Sequence, residues 1–141
     1  MTGGKILLVD SGAWYALADR SDRHHRQAIE FYRQIFKDYQ QLITTNLIIA
    51  ETYTLIRKGL GHAPGVSFLN NLSASPRVMK VFSDQEIEEN AQEIICRYKD
   101  QDFSYTDAVS FALMRHKNIT QAFAFDQHFK TAGFEVLPAI K

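Results

Sequence analysis

Ile6-Leu7-Leu8-Val9-Asp10, close to the N-terminus, places an acid directly after four apolar residues. Such a short, continuous apolar run is typical of a strand that is buried on both faces, as in a parallel sheet. The same order returns at residues 122–126, where Ala-Phe-Ala-Phe is followed by Asp126. In open α/β sheets, ligands bind in the crevice outside the carboxyl ends of the strands. We therefore expect Asp10 and Asp126 to share one crevice.

Helical patterns alternate with apolar runs along the rest of the chain. Over residues 22–39, apolar side chains recur at spacings of three and four, which predicts an amphipathic helix. Strands are predicted at residues 5–9, 41–44, 78–82, 122–125 and, at a sheet edge, 134–137. A break is predicted at Ser11-Gly12. Further helices are predicted to begin at Thr45 or Asn46, at His62, at a capping box of Ser83 with Glu86, and at a second capping box of Ser104 with Asp107. This alternation favours an α/β layer fold with a mostly parallel sheet.

The composition is typical of one compact soluble domain, and we expect residues 1–141 to form a single domain. Sixteen Lys and Arg residues balance 16 Asp and Glu residues, so the formal net charge is zero. A neutral chain has no global field that attracts nucleic acid, and any nucleic-acid site must be a local patch. The single cysteine, Cys96, excludes an internal disulfide, and no apolar run approaches the roughly 20 residues that span a bilayer. These features favour a protein of the reducing cytoplasm.

Four acids stand beside apolar segments rather than in polar surroundings: Asp10, Glu51, Asp107 and Asp126. Asp107 falls in the first turn of one predicted helix, and Glu51 lies one turn inside another. Carboxylates a few ångströms apart in a partly dry site repel one another, so a cluster of them needs protons or cations to persist. Hard oxygen ligands favour Mg²⁺ or Mn²⁺. A convergence of these acids would therefore create a divalent metal site.

Each of these acids also has a purely structural interpretation. Asp107 is the last residue of a predicted capping box, and Asp10 and Asp126 could each cap the helix that follows a strand. Glu51 needs a partner if it is buried, and Arg57 could supply one. The four structural roles are independent of one another, which favours the shared explanation of a metal site.

Four segments of the chain carry a resemblance to a known protein family. In chain order they are Leu8-Val9-Asp10-Ser11-Gly12, Thr44-Thr45-Asn46-Leu47-Ile48-Ile49-Ala50-Glu51, Ser104-Tyr105-Thr106-Asp107-Ala108 and Phe125-Asp126-Gln127-His128-Phe129. In order and spacing they resemble the PIN-domain nucleases, and within them the VapC-like toxins of prokaryotic toxin–antitoxin pairs. The resemblance covers nearly the whole chain and implies a three-layer α/β/α sandwich around a mostly parallel sheet. Ala124 departs from the family, which often has Thr or Ser two residues before its last acid.

The resemblance implies that the protein hydrolyses phosphodiester bonds in RNA with Mg²⁺ or Mn²⁺. Asp10, Asp107 and Asp126 would be the metal ligands, and Glu51 would hold a water molecule at the metal or act as a general base. Phosphate contacts are expected at the mouth of the crevice, where the candidates are Ser11 through its hydroxyl, Arg20, Arg23, Arg57 and Lys58.

Aromatic residues after the first strand have two interpretations. Trp14 or Tyr15 could stack on a nucleobase, although residues in this position more often belong to the core. Three histidines lack the spacing of a zinc site and are interpreted as structural or surface residues: His24, His25 and His128.

A VapC-like toxin implies a small antitoxin protein that covers the acidic site, and it also implies a homodimer. Two alternatives stay open at this point. The first is a PIN nuclease without an antitoxin, which the absence of an adjacent small gene would favour. The second is a non-catalytic binding module of the same fold, which the missing hydroxyl at Ala124 favours.

Overall fold

A five-stranded parallel sheet forms the centre of the molecule in a computed structural model that describes residues 5–139. Its strands are β1 (Lys5–Val9), β2 (Tyr39–Thr45), β3 (Val78–Val81), β4 (Gln121–Phe123) and β5 (Glu135–Leu137). They lie in the order β3-β2-β1-β4-β5, and every neighbouring pair is parallel. The predicted α/β fold is confirmed, with β5 at a sheet edge as expected.

Seven helices within residues 5–139 flank this sheet. They are α1 (Ser11–Ala18), α2 (His25–Asp38), α3 (Asn46–Gly59), α4 (His62–Ala74), α5 (Gln85–Arg97), α6 (Tyr105–Lys117) and α7 (His128–Thr131). Helix α1 packs against α2 and α3, and α3 packs against α4, whereas α5 packs against α6 and α6 against α7. These two groups are the outer layers of the α/β/α sandwich. Across the described range, no helix combines the length and the apolar character that crossing a bilayer requires.

Strand β1 lies at the middle of the sheet, where its last three residues are buried on both faces, whereas Lys5 and Ile6 at its start are exposed. Leu7, Leu8 and Val9 are completely buried, as the uninterrupted apolar run predicts. Val9 pairs with Phe123 at the carboxyl end of β4. The residues that follow β1 and β4 therefore leave the sheet side by side, which positions the candidate site.

The predicted break at Ser11-Gly12 is wrong, because helix α1 begins at Ser11. Ala13, Trp14 and Ala16 of this short helix are buried, and an apolar surface on several sides gives no helical period in the sequence. Packing against α2 and α3 stabilises α1 where its own pattern does not. Helix α7 was not predicted either, since its four residues are too few to show a period.

The start of α5 also differs from its predicted capping box. Asp84, not Ser83, caps the helix by accepting a hydrogen bond from the amide of Ile87 at 2.9 Å. The hydroxyl of Ser83 donates instead to Glu88 at 3.0 Å. The predicted pairing of Ser83 with Glu86 is therefore wrong, because an aspartate one residue later offers the stronger acceptor.

Ser104→Ala is expected to lower the free energy of unfolding by about 1 kcal/mol, because it removes the acceptor for the amide of Asp107 in the first turn of α6. Urea unfolding measures this change. The matched control is Ser73→Ala, which alters an exposed serine inside α4 and should leave stability unchanged or slightly raised. Equal stability of Ser104→Ala and wild type would contradict the cap.

Candidate active site

Asp10 lies where β1 ends and α1 begins, in the N-cap position of that helix. Its amide donates to the carbonyl oxygen of Phe123 at 3.0 Å, which ties it to the end of β4. The side chain is only 3% exposed and makes no capping bond, so Asp10 does not cap α1 through its carboxylate. Among the described residues, its Oδ1 has no hydrogen-bond partner. A buried carboxylate oxygen without a partner is costly unless a proton or a cation binds it.

Asp107 is a buried acid that has a structural role and also faces the crevice. Its Oδ2 accepts a hydrogen bond from the amide of Ser104 at 3.1 Å, and the hydroxyl of Ser104 accepts from the amide of Asp107 at 3.0 Å. The capping box that the sequence predicts here is thus confirmed. Nδ1 of His128 donates to the same Oδ2 at 2.8 Å, since an ionised carboxylate can only accept. Both bonds fall on Oδ2, which leaves Oδ1 available to a cation.

Asp126 lies at the rim of the crevice, three residues beyond the end of β4. Its Oδ1 accepts a hydrogen bond from the amide of His128 at 3.0 Å, in the turn that leads into α7. Gln127, not Asp126, is the N-cap of α7, and its side chain makes no capping bond, so the expectation that Asp126 caps the helix after the strand is wrong. Asp107, Asp126 and His128 each offer one ligand atom, and these atoms lie within 4.8 Å of one another.

Glu51 reaches the crevice from the second turn of α3 and is half-buried. Its Oε1 accepts a hydrogen bond from the hydroxyl of Ser11 at 2.7 Å. No ion pair joins Glu51 to Arg57 in the described chain, and Arg57 is exposed in the last turn of α3, so this predicted partner is wrong. The hydroxyl of Ser11, which was predicted to contact substrate, is buried and committed to Glu51.

The four carboxylates act on one another electrostatically. Burial raises the pKa of Asp10 well above its ordinary value of 3.8, and the negative charges of Asp126, Asp107 and Glu51 raise it further. Partial burial and the charge of Asp107 also raise the pKa of Asp126. Asp107, Asp126 and Glu51 are thus each close enough to Asp10 to repel its charge, and the cluster favours the uptake of positive charge.

A divalent cation suits this cluster on two grounds. The donor set consists mainly of carboxylate oxygens, the hard ligands that Mg²⁺ and Mn²⁺ prefer. Within residues 5–139, no hydrogen bond reaches Oδ1 of Asp10 or Oδ1 of Asp107, and a bound cation would satisfy both acceptors. The residues present therefore fit such an ion.

The predicted phosphate-binding residues are not all brought to the crevice. Lys58, in the last turn of α3, bounds a hollow of about 700 Å³ that Asp126 also bounds. Arg23 lines the same hollow, whereas Arg20 and Arg57 are exposed but do not line it. Lys58 and Arg23 are thus the candidate basic residues that border the same hollow as Asp126.

Trp14 cannot offer a stacking surface. Its side chain is only 6% exposed, its ring packs edge-on against Phe68, and its indole nitrogen donates to the hydroxyl of Thr44 at 3.4 Å. Tyr15 is half-buried, and its hydroxyl donates to Asp19 at 2.8 Å. The core interpretation of Trp14 is the correct one.

His128 is the site residue that sequence analysis missed, since it was interpreted as structural or surface. It bonds Asp107 through its ring and Asp126 through its amide, so it links two of the four acids. Its position two residues after a candidate ligand was the available signal. Ala124 is buried with 1% exposure, so a methyl group occupies the position where a hydroxyl was expected by resemblance.

The fold and the acid cluster together define the class to which the chain belongs. Residues 7–135 match the PIN domain family, and the chain is a member of that family. Among its relatives is the 23S rRNA-specific endonuclease VapC20 of Mycobacterium tuberculosis, which is 36% identical over 135 residues, covering 94% of this chain and 99% of the relative.

Solved structures agree with this assignment. The crystal structure of Mycobacterium tuberculosis VapC20, described as a sarcin–ricin loop cleaving toxin, superposes with a TM-score of 0.85 at 32% identity, over 92% of this chain and 96% of that chain. The protein PAE2754 from Pyrobaculum aerophilum shares the fold alone, with a TM-score of 0.62 at 18% identity, over 95% of this chain and 90% of that chain.

Proposed function

We propose that this chain is an endoribonuclease that hydrolyses phosphodiester bonds in RNA with Mg²⁺ or Mn²⁺ bound at the acid cluster. The observation that carries the proposal is the 36% identity, over 94% of the chain, to an endonuclease specific for 23S rRNA. Because nearly the whole length of both proteins is matched, the same class of substrate is expected here, with the sarcin–ricin loop as the first RNA to test.

Three carboxylates are the proposed metal ligands: Asp10, Asp107 and Asp126. When bound, a divalent cation lowers the pKa of a coordinated water, polarises the phosphodiester and stabilises the leaving oxygen. The carboxylates supply the negative charge that holds the ion. The pKa values of Asp10 and Asp126 are raised by burial first and by neighbouring acids second, and a bound cation would offset both effects.

Glu51 is the proposed general base. Ser11 donates to its Oε1 and thereby fixes the orientation of the carboxylate, which leaves Oε2 to accept a proton from the attacking water. Lys58, at the edge of the crevice, is the proposed phosphate contact, because an ammonium group binds phosphate as a point charge. Substrate roles for Arg20 and Arg57 stay predictions.

We also propose the biological setting that the relatives suggest. The chain would be the toxin of a toxin–antitoxin pair, with a small antitoxin as partner, and would act as a single-domain cytoplasmic homodimer. The similarity to Mycobacterium tuberculosis VapC20, which is a sarcin–ricin loop cleaving toxin, supports the first of these statements.

The proposal is tested by incubating the purified protein with an end-labelled RNA hairpin that contains the sarcin–ricin loop. Cleavage is expected in Mg²⁺ or Mn²⁺, and it should stop in EDTA and in the Asp126→Asn variant. The matched control is Asp100→Asn, which removes an exposed acid outside the cluster and should cleave like wild type. Cleavage that persists in EDTA would contradict the metal-dependent mechanism.

If wild type cleaves no RNA, the alternative is a non-catalytic binding module of the same fold. The residue that favours this alternative is Ala124, which follows β4 and lacks the hydroxyl that PIN domains often have at this position. A protein that binds Mn²⁺ and RNA but cleaves neither this hairpin nor total ribosomal RNA would be a PIN-like binding module.

His128→Ala is expected to weaken Mn²⁺ binding by about 10-fold, because residues that orient a metal ligand typically contribute 10- to 100-fold to affinity. The variant loses the ring nitrogen that holds Oδ2 of Asp107 in place. Isothermal calorimetry measures the affinity. His116→Ala, an exposed histidine in the last turn of α6, is the matched control, and equal affinity of His128→Ala and wild type would refute this role.

A further inference from the structure

Two aromatic rings lie stacked at the rim of the acid cluster. The imidazole of His24 and the phenyl ring of Phe125 have centroids 4.3 Å apart and planes only 7° from parallel. Phe125 directly precedes Asp126, so the pair stands beside a proposed metal ligand. Both side chains are half-buried, so part of each remains accessible.

The ring pair is held from both sides. Phe125 packs edge-on against Phe123, which is completely buried, and the ring of Phe31 also packs edge-on against Phe123, with centroids 4.9 Å apart. On the other side, the amide of His24 donates to Oδ2 of Asp22 at 2.9 Å. Phe125 is thus held by the core and His24 by a hydrogen-bonded turn. Because both rings are already held in place, they lose little conformational entropy when a ligand binds.

The stacked pair separates two hollows of the surface. A hollow of about 1020 Å³ and one of about 700 Å³ are both bounded by His24, Phe125 and Asp126. Volumes of roughly 300–1,000 Å³ are typical of sites that take small molecules, so either hollow has room for a nucleobase. A chain that lies over the rim would pass from one hollow to the other across the stacked rings.

Positive charge lies at the edge of the stack. Nε of Arg23 donates to Nε2 of His24 at 3.2 Å, which places a guanidinium group beside the imidazole. Arg23 and Lys58 both bound the smaller hollow. An aromatic surface next to cations is the arrangement by which proteins bind single-stranded nucleic acid, with bases on the rings and phosphates on the charges. Because the chain has no net charge, nucleic-acid binding requires a local positive patch, and Arg23 and Lys58 supply one beside the stacked rings.

We propose that His24 and Phe125 form a stacking platform for an RNA base next to the bond that is cleaved, with Arg23 holding the adjoining phosphate. The inference rests on the proposed function, since it names how the RNA is held at the same site. The proposal assigns base stacking to His24 and Phe125 at the rim, whereas the sequence suggested Trp14 or Tyr15, of which Trp14 is buried. A platform of this kind tolerates any base and fixes the position of the chain rather than its sequence.

The test uses the Asp10→Asn protein, which should not cleave RNA, and hairpins that carry the fluorescent base 2-aminopurine at single positions flanking the mapped cleavage site. Stacking quenches this fluorescence. One position should be quenched on binding, and adding His24→Ala should abolish the quenching and weaken RNA binding by about 10-fold. His24→Phe keeps a flat ring and should restore both, and His116→Ala should change neither.

Two further measurements separate the possible failures. His24→Ala should keep the Mn²⁺ affinity and the unfolding temperature of wild type, which shows that the acid cluster and the fold are intact. If wild type cleaves RNA while His24→Ala binds and quenches as the parent does, the platform is refuted and the ribonuclease stands. If wild type binds no RNA in any metal, the proposed function fails and the platform fails with it.

Discussion

Asp10→Asn is expected to abolish RNA cleavage, with a loss of at least about 10³-fold, while making the metal-free protein more stable. The loss follows because the variant removes a charged ligand from the proposed metal site. Metal ions contribute several kcal/mol of charge stabilisation in the transition state, and each 1.36 kcal/mol corresponds to a factor of about ten in rate. Cleavage of the end-labelled hairpin in Mg²⁺ measures this part of the effect.

The gain in stability follows from the surroundings of the same carboxylate. Asp10 is 3% exposed, its Oδ1 is unpartnered among the described residues, and neighbouring acids repel it. A neutral amide removes the buried charge, so the free energy of unfolding without metal should rise by about 1–2 kcal/mol. Thermal unfolding in EDTA should show an increase of about 3–6 °C.

The sign of the pH dependence follows from the raised pKa of Asp10. The folded, metal-free protein holds this proton more tightly than the unfolded chain, whose carboxyl has an ordinary pKa of 3.8. The resulting stabilisation is complete below about pH 4 and is lost as the pH rises through the folded-state pKa. Asp10→Asn should therefore lose less stability than wild type between acidic and neutral pH. A variant that is less stable than wild type at neutral pH in EDTA would contradict this account.

Phe111→Ala is expected to lower the free energy of unfolding by about 3–5 kcal/mol, the usual cost of removing a buried phenylalanine ring. Phe111 is completely buried, and its ring contacts the rings of Phe103, Phe129 and Phe134 at centroid distances of 5.0, 4.9 and 5.7 Å. Truncation would leave these three rings around a cavity. For a chain of this size, the unfolding temperature should fall by about 10–15 °C.

The same substitution should weaken metal binding, because Phe103 also packs edge-on against His128 at 5.5 Å. Differential scanning calorimetry measures the stability, and a Mn²⁺ titration below the unfolding temperature measures the site. Phe82→Ala is the matched control, since Phe82 is 70% exposed and should change stability by less than about 0.5 kcal/mol. Similar losses in the two variants would show that Phe111 does not organise this core.

The sheet and the four acids were predictable for a physical reason. Apolar runs that end in Asp10 and Asp126 indicate buried parallel strands, and parallel strands bring their carboxyl ends to one edge. Once that edge is set, helices that begin there bring Glu51 and Asp107 to it. Local sequence patterns therefore predict which distant residues meet, because few topologies are compatible with this order of strands and helices.

Other features depend on tertiary packing that no local pattern records. Helix α1 is stabilised by the burial of Ala13, Trp14 and Ala16, so its first residues look like a break when they are considered alone. His128 and His24 show no ligand spacing in the sequence. Their roles depend on contacts with Asp107 and Phe125, which lie 21 and 101 residues away.

The most direct test of the account is a calorimetric titration of Mn²⁺ into the metal-free wild type and the Asp10→Asn variant at neutral pH. If the unsatisfied charge of the four acids binds a divalent cation, wild type should give saturable heat, and Asp10→Asn should show no measurable binding at the same concentrations. Equal binding by the two proteins, or no binding by wild type, would contradict a metal site at these acids.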